Sequence, residues 1–146
     1  MYFDDLSHDS YLGECRYVRS IAWLGTGHRF TIGAPPADLV PLLNQHLRNP
    51  WSVFAAAGTH NCEFCEAEGR VHRDARNLFI PSPDTVYFAP GMIVHYIEQH
   101  GYLPPQAFIE AVRLCPPQGS DKFMLWMKDF GAWWDAQIGT VETRQA

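Results

Sequence analysis

Apolar side chains fall on alternate positions from Cys15 to Leu24, with Cys15, Tyr17, Ile21 and Trp23 on one side and Arg19 as the interruption. A period of two predicts a half-buried strand over 15–24. Gly25-Thr26-Gly27 reads as a turn, and Arg29–Ile32 as a second short strand folded back to make a hairpin. The pattern then changes period. Leu39, Leu42, Leu43 and Leu47 recur at i, i+3, i+4 and i+8, which is one face of a helix over 38–48. Pro41 is compatible with that helix if Asp38 is the N-cap, because the third helical N–H has no intrahelical partner. Asn49-Pro50 ends it. Trp51–Ala57 is apolar without a clear period, and 58–76 is polar and reads as loop.

Asn77–Ile80 and Val86–Ala89 are short apolar runs on either side of Pro81-Ser82-Pro83-Asp84-Thr85, which predicts a hairpin with a turn longer than two residues. Pro90 is placed at the opening of a helix that runs through His100, with Gly101 as the left-handed residue after its end. Pro104-Pro105 start another helix with Phe108, Val112 and Cys115 on one face, and Pro116-Pro117 stop it. Ser120 caps a last helix that carries Phe123, Met127, Phe130 and Trp134 on one stripe. These elements predict an α+β fold: small antiparallel hairpins packed with three to four helices. The expected organisation is a loosely attached lead-in over 1–14, one globular domain over 15–138 and a flexible tail over 139–146.

Composition narrows the function classes. The chain has 146 residues, 47% of them hydrophobic, with a formal net charge of −5. That supports one domain with a real core and excludes whole-chain disorder. Acidity argues against broad nucleic-acid binding, which depends on Lys and Arg neutralising phosphates. The longest apolar runs fall far short of the ~20 residues that span a bilayer, so no membrane segment is expected. The N-terminus has neither a basic nor an apolar leader region. The expected location is therefore the cytoplasm, where thiols stay reduced.

In that setting the four cysteines and seven histidines are core residues, metal ligands or catalytic groups. Cys62-Glu63-Phe64-Cys65 is a Cys-x2-Cys knuckle, a spacing that lets two thiolates converge on one ion from a tight turn. A hairpin follows, and then a helix with His95 and His100. Knuckle, hairpin, and helix with two His is the element order of a Cys2His2 zinc finger. The gap between pairs, 29 residues in this chain, is about twice the usual length. The expected site is thus a structural Zn2+ held by Cys62, Cys65, His95 and His100, in a zinc-finger-like core. On a regular helix, residues i and i+5 are turned about 140° apart, so both imidazoles reach one ion only if the last turn is loosened before Gly101. Two alternatives stand beside this set. One is a local site of His60, Cys62, Cys65 and His72. The other is an unmetallated CxxC, structural or redox-active.

The remaining chemistry is thinner. His28 is read as a turn residue and His46 as half-exposed on the first helix; His8 carries no signal. Cys15 and Cys115 lie on apolar faces and are read as buried core thiols. Asp121 and Asp129 fit a solvated helix face. Phosphate-binding glycine loops and a nucleophile elbow are absent from the sequence. A ββα-type metal nuclease would need a general-base His on the hairpin, and neither strand carries one. The aromatic last helix, with Trp126, Trp133 and Trp134, is either core or a surface for a protein partner.

A set of longer motifs resembles a small uncharacterised bacterial family. They are Arg19–Leu24, Gly27–Phe30, Pro50-Trp51, Gly58–Cys65, Asn77–Pro81, Val86–Pro105 and Cys115–Pro117, together covering roughly residues 15–120. The resemblance implies no reaction. It implies that His60, Cys62, Cys65, His95 and His100 belong to the family pattern, whereas the His72 loop is variable. Ala22 and Gly91 depart from it, standing where such sequences tend to have Gly and Glu. The expectation is a small metal-binding domain with a binding or regulatory role. The alternatives are a metal-dependent hydrolase or nuclease with an open metal position, in which His60 or Glu63 serves as acid or base, and an immunity-type partner protein.

Overall fold

The computed structural model describes residues 2–53 and 59–145, with side chains through Ile138. Residues 54–57 of the run without a clear period, and Ala146 of the expected tail, lie outside the described residues; of 139–145 only the backbone is described, as helix. The fold is α+β. Its centre is a sheet of strands β1 (Val18–Ser20), β4 (Asn77–Pro81) and β5 (Val86–Pro90) in the order β1-β5-β4. A separate two-stranded ribbon pairs β2 (His60–Asn61) with β3 (Arg73–Asp74). The helices are α1 (Leu39–Leu47), α2 (Glu63–Ala67), α3 (Ile93–His100), α4 (Gln106–Leu114), α5 (Asp121–Trp126) and α6 (Lys128–Gln145). Among the described residues, no helix is long and apolar enough to cross a membrane.

The central hairpin forms as its two apolar runs predict, antiparallel, with Phe79 opposite Phe88. Its residues are apolar at nearly every position because the sheet is covered on both faces. Leu78, Ile80, Tyr87 and Ala89 point into one core with the leucines of α1, Ile93 and Tyr96 of α3, and Phe108 and Val112 of α4. Phe79, Val86 and Phe88 point into a second core with Trp23, Phe123, Met127 and Phe130. Large aromatic side chains on both faces make the hairpin the common wall of the molecule.

The first expected hairpin does not form. Val18–Ser20 runs parallel to β5, and Ile32 makes an isolated bridge to Tyr102 instead of pairing with 15–24. The cause is local. Ala22 sits at φ +65°, in the left-handed region that extended strands cannot use. The strand ends just before it, at Ser20, and Ile21–Leu24 is buried rather than half-exposed. A Gly at this position would adopt the same backbone without a Cβ penalty.

Other boundaries also shift. Pro90 closes β5 rather than opening α3, and the Gly91 N–H extends the ladder to the Arg76 carbonyl. The last helix is two helices divided at Met127, which brings the number among the described residues to six; Ser120 caps the first of them, accepting from the Phe123 N–H as expected. Asp38 makes no side-chain cap on α1. Its carboxylate instead pairs with the Arg113 guanidinium through two hydrogen bonds of 2.8 and 2.9 Å, joining α1 to α4. The N-terminal stretch is held more firmly than its polar sequence predicted. Leu6 N–H donates to the Ser20 carbonyl, Ser20 N–H to that of Ser7, and the Asp5 carboxylate accepts from Ala22 N–H and the Tyr102 hydroxyl.

Candidate metal centre

The polar stretch expected as loop, 58–76, contains the ribbon β2–β3 and the one-and-a-half-turn helix α2 between them. Cys62 is the N-cap of α2, and its Sγ accepts from the Cys65 N–H at 3.4 Å. Cys thus takes the place of the Ser or Asp that usually satisfies a free N–H in the first turn of a helix. The return strand is fixed from the other side: the Cys62 N–H donates to the His72 carbonyl at 3.0 Å. Arg76 ties the ribbon to the body. Its guanidinium bonds Asp74 through both carboxylate oxygens and donates to the Leu47 carbonyl at the end of α1.

Helix α3 supplies the other half. The N–H groups of Gly101 and Tyr102 both reach back to the Tyr96 carbonyl, five and six residues away, and Gly101 is left-handed at φ +70°. A regular helix bonds over four residues, so the final turn is widened. That widening resolves the problem of the i, i+5 pair: the Nε2 atoms of His95 and His100 lie 3.3 Å apart.

The four side chains converge. Cys62 Sγ is 3.4 Å from His100 Nε2, and Cys65 Sγ is 3.3 Å from His95 Nε2 and 3.6 Å from His100 Nε2. All four atoms lie within 4.8 Å of one another, and they are positioned to hold a metal ion. Both thiols are buried and both imidazoles half-buried. Burial, with the neighbouring charges of His72 and His100, pulls His95 down to about 4, and burial also lowers His100. Both rings are therefore neutral near pH 7, the form that offers a lone pair to a metal. Burial raises the Cys62 thiol, so a metal entering here displaces its proton. In a ring of this kind the close Nε2···Nε2 contact opposes two lone pairs unless one nitrogen carries its proton. A cation at the centre takes all four lone pairs at once.

The structure does not assemble the local alternative. His60 Nε2 bonds the Tyr96 hydroxyl at 3.2 Å, and the ring lies edge-on to Trp23. His72 stands outside the four, with its ring stacked on that of His95. Glu63 holds the Thr26 N–H and hydroxyl with one carboxylate oxygen. His8 meets the Val18 carbonyl and His28 stacks on Tyr2.

His46, expected half-exposed, is 8% exposed, and its Nδ1 faces the Gln118 amide. Gln118 also donates to the Phe79 carbonyl and accepts from the Trp51 N–H, so it links the edge of β4 to the loop after α1. No local motif marks Gln118, because its partners come from three distant segments. Cys15 is buried as expected. Cys115 is partly buried, and burial raises its thiol to about 12. None of the four cysteines is in a disulfide.

A family model described as a domain of unknown function (DUF7919) matches residues 1–113, which include the whole four-residue cluster and end within α4. No curated protein and no solved structure matches the chain.

Proposed function

We propose, for a chain that belongs to the DUF7919 family of unknown function, that Cys62, Cys65, His95 and His100 hold one structural zinc ion. The observation that carries the proposal is the spacing of the four donor atoms. A tetrahedral zinc with Zn–S of about 2.3 Å and Zn–N of about 2.0–2.1 Å has S···N edges of about 3.5 Å and an N···N edge of about 3.4 Å. Three of the four S···N separations here are 3.3–3.6 Å and the N···N separation is 3.3 Å, with all four donor atoms within 4.8 Å of one another. Two sulfurs and two nitrogens are also the donor set zinc favours over magnesium or calcium. Four protein ligands close the coordination sphere, which supports a structural ion rather than one with an open catalytic position.

The ion would clamp the ribbon β2–β3 and helix α2 onto α3. Two thiolates cancel its charge, so the acidity of the chain remains on the surrounding surface. A small domain stabilised in this way suits a binding or regulatory role in a reducing compartment such as the cytoplasm. The aromatic C-terminal region is our candidate surface for a protein partner, supported by an exposed Leu125 and by Trp126, Trp133 and Trp134, which are only half-buried; aromatic residues are enriched at interfaces.

Metal analysis of the purified full chain tests the reading. About one zinc per chain is expected, falling to near zero in Cys62→Ser. Folded wild-type protein that contains no metal and takes up none from added Zn2+ overturns it. Retention of zinc in a folded chain with only three of the four ligands needed would favour an open, catalytic site instead.

A further inference from the structure

A ligand imidazole must be held in one orientation, and in metal sites this is usually done by a hydrogen bond from its second ring nitrogen. The Nε2 of His95 faces the cluster, toward Cys65 and His100. Among the described residues, no hydrogen bond is made by its Nδ1. What His95 has instead is a plate. The His72 ring lies over it with centroids 3.7 Å apart and planes 11° from parallel. The plate is itself anchored, because the His72 carbonyl accepts the Cys62 N–H at 3.0 Å. One residue therefore touches the backbone of a thiol ligand and the ring of an imidazole ligand, which come from opposite halves of the centre. The opposite imidazole, His100, packs against Phe64 at 5.2 Å between centroids, with the rings tilted by 45°. The two ligand rings are thus bracketed by one side chain from each end of the α2–β3 segment.

We propose that His72 is a positioning residue of the metal centre: it orients His95 by stacking, and does not itself bind the ion. The proposal rests on the metal reading above. It assigns a role to a residue whose spacing from Cys62 and Cys65 alone suggests a fourth ligand. Because the stack needs a flat ring and not a nitrogen donor, Phe can replace His72 and Ala cannot.

The experiment is a titration of the metal-free full chain with Co2+, followed by displacement with Zn2+ against a chromogenic chelator, on wild type, His72→Ala and His72→Phe. His72→Ala is expected to weaken Zn2+ binding about 10-fold, the lower end of the usual cost of losing an orienting partner, and to shift or broaden the Co2+ d–d bands. His72→Phe is expected to keep the wild-type bands and to bind within about threefold of wild type. Circular dichroism of the metal-free variants separates this from a folding defect, since His72 is exposed. Wild-type affinity and bands in His72→Ala overturn the proposal, as does a His72→Phe variant as weak as Ala, which would make the ring nitrogen the active group. A wild-type chain that binds neither ion overturns the metal reading, and this proposal with it. A wild-type chain that binds metal while His72→Ala changes nothing overturns this proposal alone.

Discussion

Two regions of the molecule differ in how much apolar surface they bury. The central hairpin β4–β5 carries a large buried residue at almost every position, with a core on each face. The ribbon and helix at 60–74 have two-residue strands and five helical residues, and their buried side chains are chiefly the two cysteines. Burial of apolar area at roughly 25 cal/mol per Å2 suffices for the first region. It contributes less to the second, where few apolar side chains are buried against a backbone entropy cost of about 1–2 kcal/mol per residue. Under the proposed reading a metal ion would supply cohesion where apolar side chains are few, and the same residue type is used in both ways. Cys15 is a core thiol beside Phe79 and Phe88; Cys62 and Cys65 converge on two imidazoles.

The contrast can be broken most strongly at Cys65, whose sulfur meets both imidazoles. Structural zinc is worth roughly 10–16 kcal/mol of apparent binding free energy in small fingers. Cys65→Ser should remove most of that and make the melting temperature insensitive to chelator. By hydrogen exchange, amides of 60–74 should lose protection while those of β5 keep theirs; equal loss in both regions would show that the two are one cooperative unit. In the hairpin, Phe88→Ala should cost about 3–5 kcal/mol of global stability by urea unfolding. It should open both regions together, since the hairpin is the common wall of the molecule.

A smaller effect is expected where the regions meet. A Cβ on Gly91 would lie 2.6 Å from Asp74 Oδ1 and 2.9 Å from Arg76 Cβ. Gly91→Ala should therefore cost about 1–3 kcal/mol by overpacking, and should loosen the ribbon through the Asp74–Arg76 pair. An unchanged urea midpoint would mean that the ribbon shifts freely.

Acid should act on the region of the Cys–His cluster first. The folded chain holds His95 down to about 4, against about 6.5 in the unfolded chain. Below pH ~6.5 the unfolded chain binds a proton that the folded one refuses, so the metal-free fold loses stability as pH falls from ~6.5 toward 4. Thermal melts of metal-free protein across that range should show the slope, and His95→Gln should make it shallower, leaving the part that comes from His46, His60 and His100, which burial also lowers. The smallest effect is a gain. Ala22→Gly relieves a left-handed Ala and should raise stability by up to about 1 kcal/mol, visible as a small upward shift in melting temperature; a decrease would mean that the methyl group's packing outweighs the strain.

The parts of this structure legible in the sequence are those set by nearby residues. The Cys-x2-Cys turn, the left-handed Gly101 after His100, the Ser120 cap and the hairpin around 81–85 depend on a few consecutive side chains, and each is where its pattern places it. The meeting of the two ligand pairs was legible as element order, because knuckle, hairpin and helix bring separated pairs together in only a few ways. The parallel pairing of β1 with β5 was not, since its signal is divided between segments nearly seventy residues apart and is interrupted by Ala22. Nor was α2, too short for a period to register, nor the break at Met127, which follows from the packing of both helices against one aromatic cluster.

Sequence alone thus determined the α+β class, the four metal-ligand candidates and the ends of several helices, because backbone preference and local spacing act over a few residues. Tertiary packing decided which strand β1 joins, that His46 is buried against Gln118, and that His72 faces His95 as a plate while His60 turns away to Tyr96. Those outcomes depend on which surfaces meet, and a side chain's neighbours across the fold are not written in its neighbours along the chain.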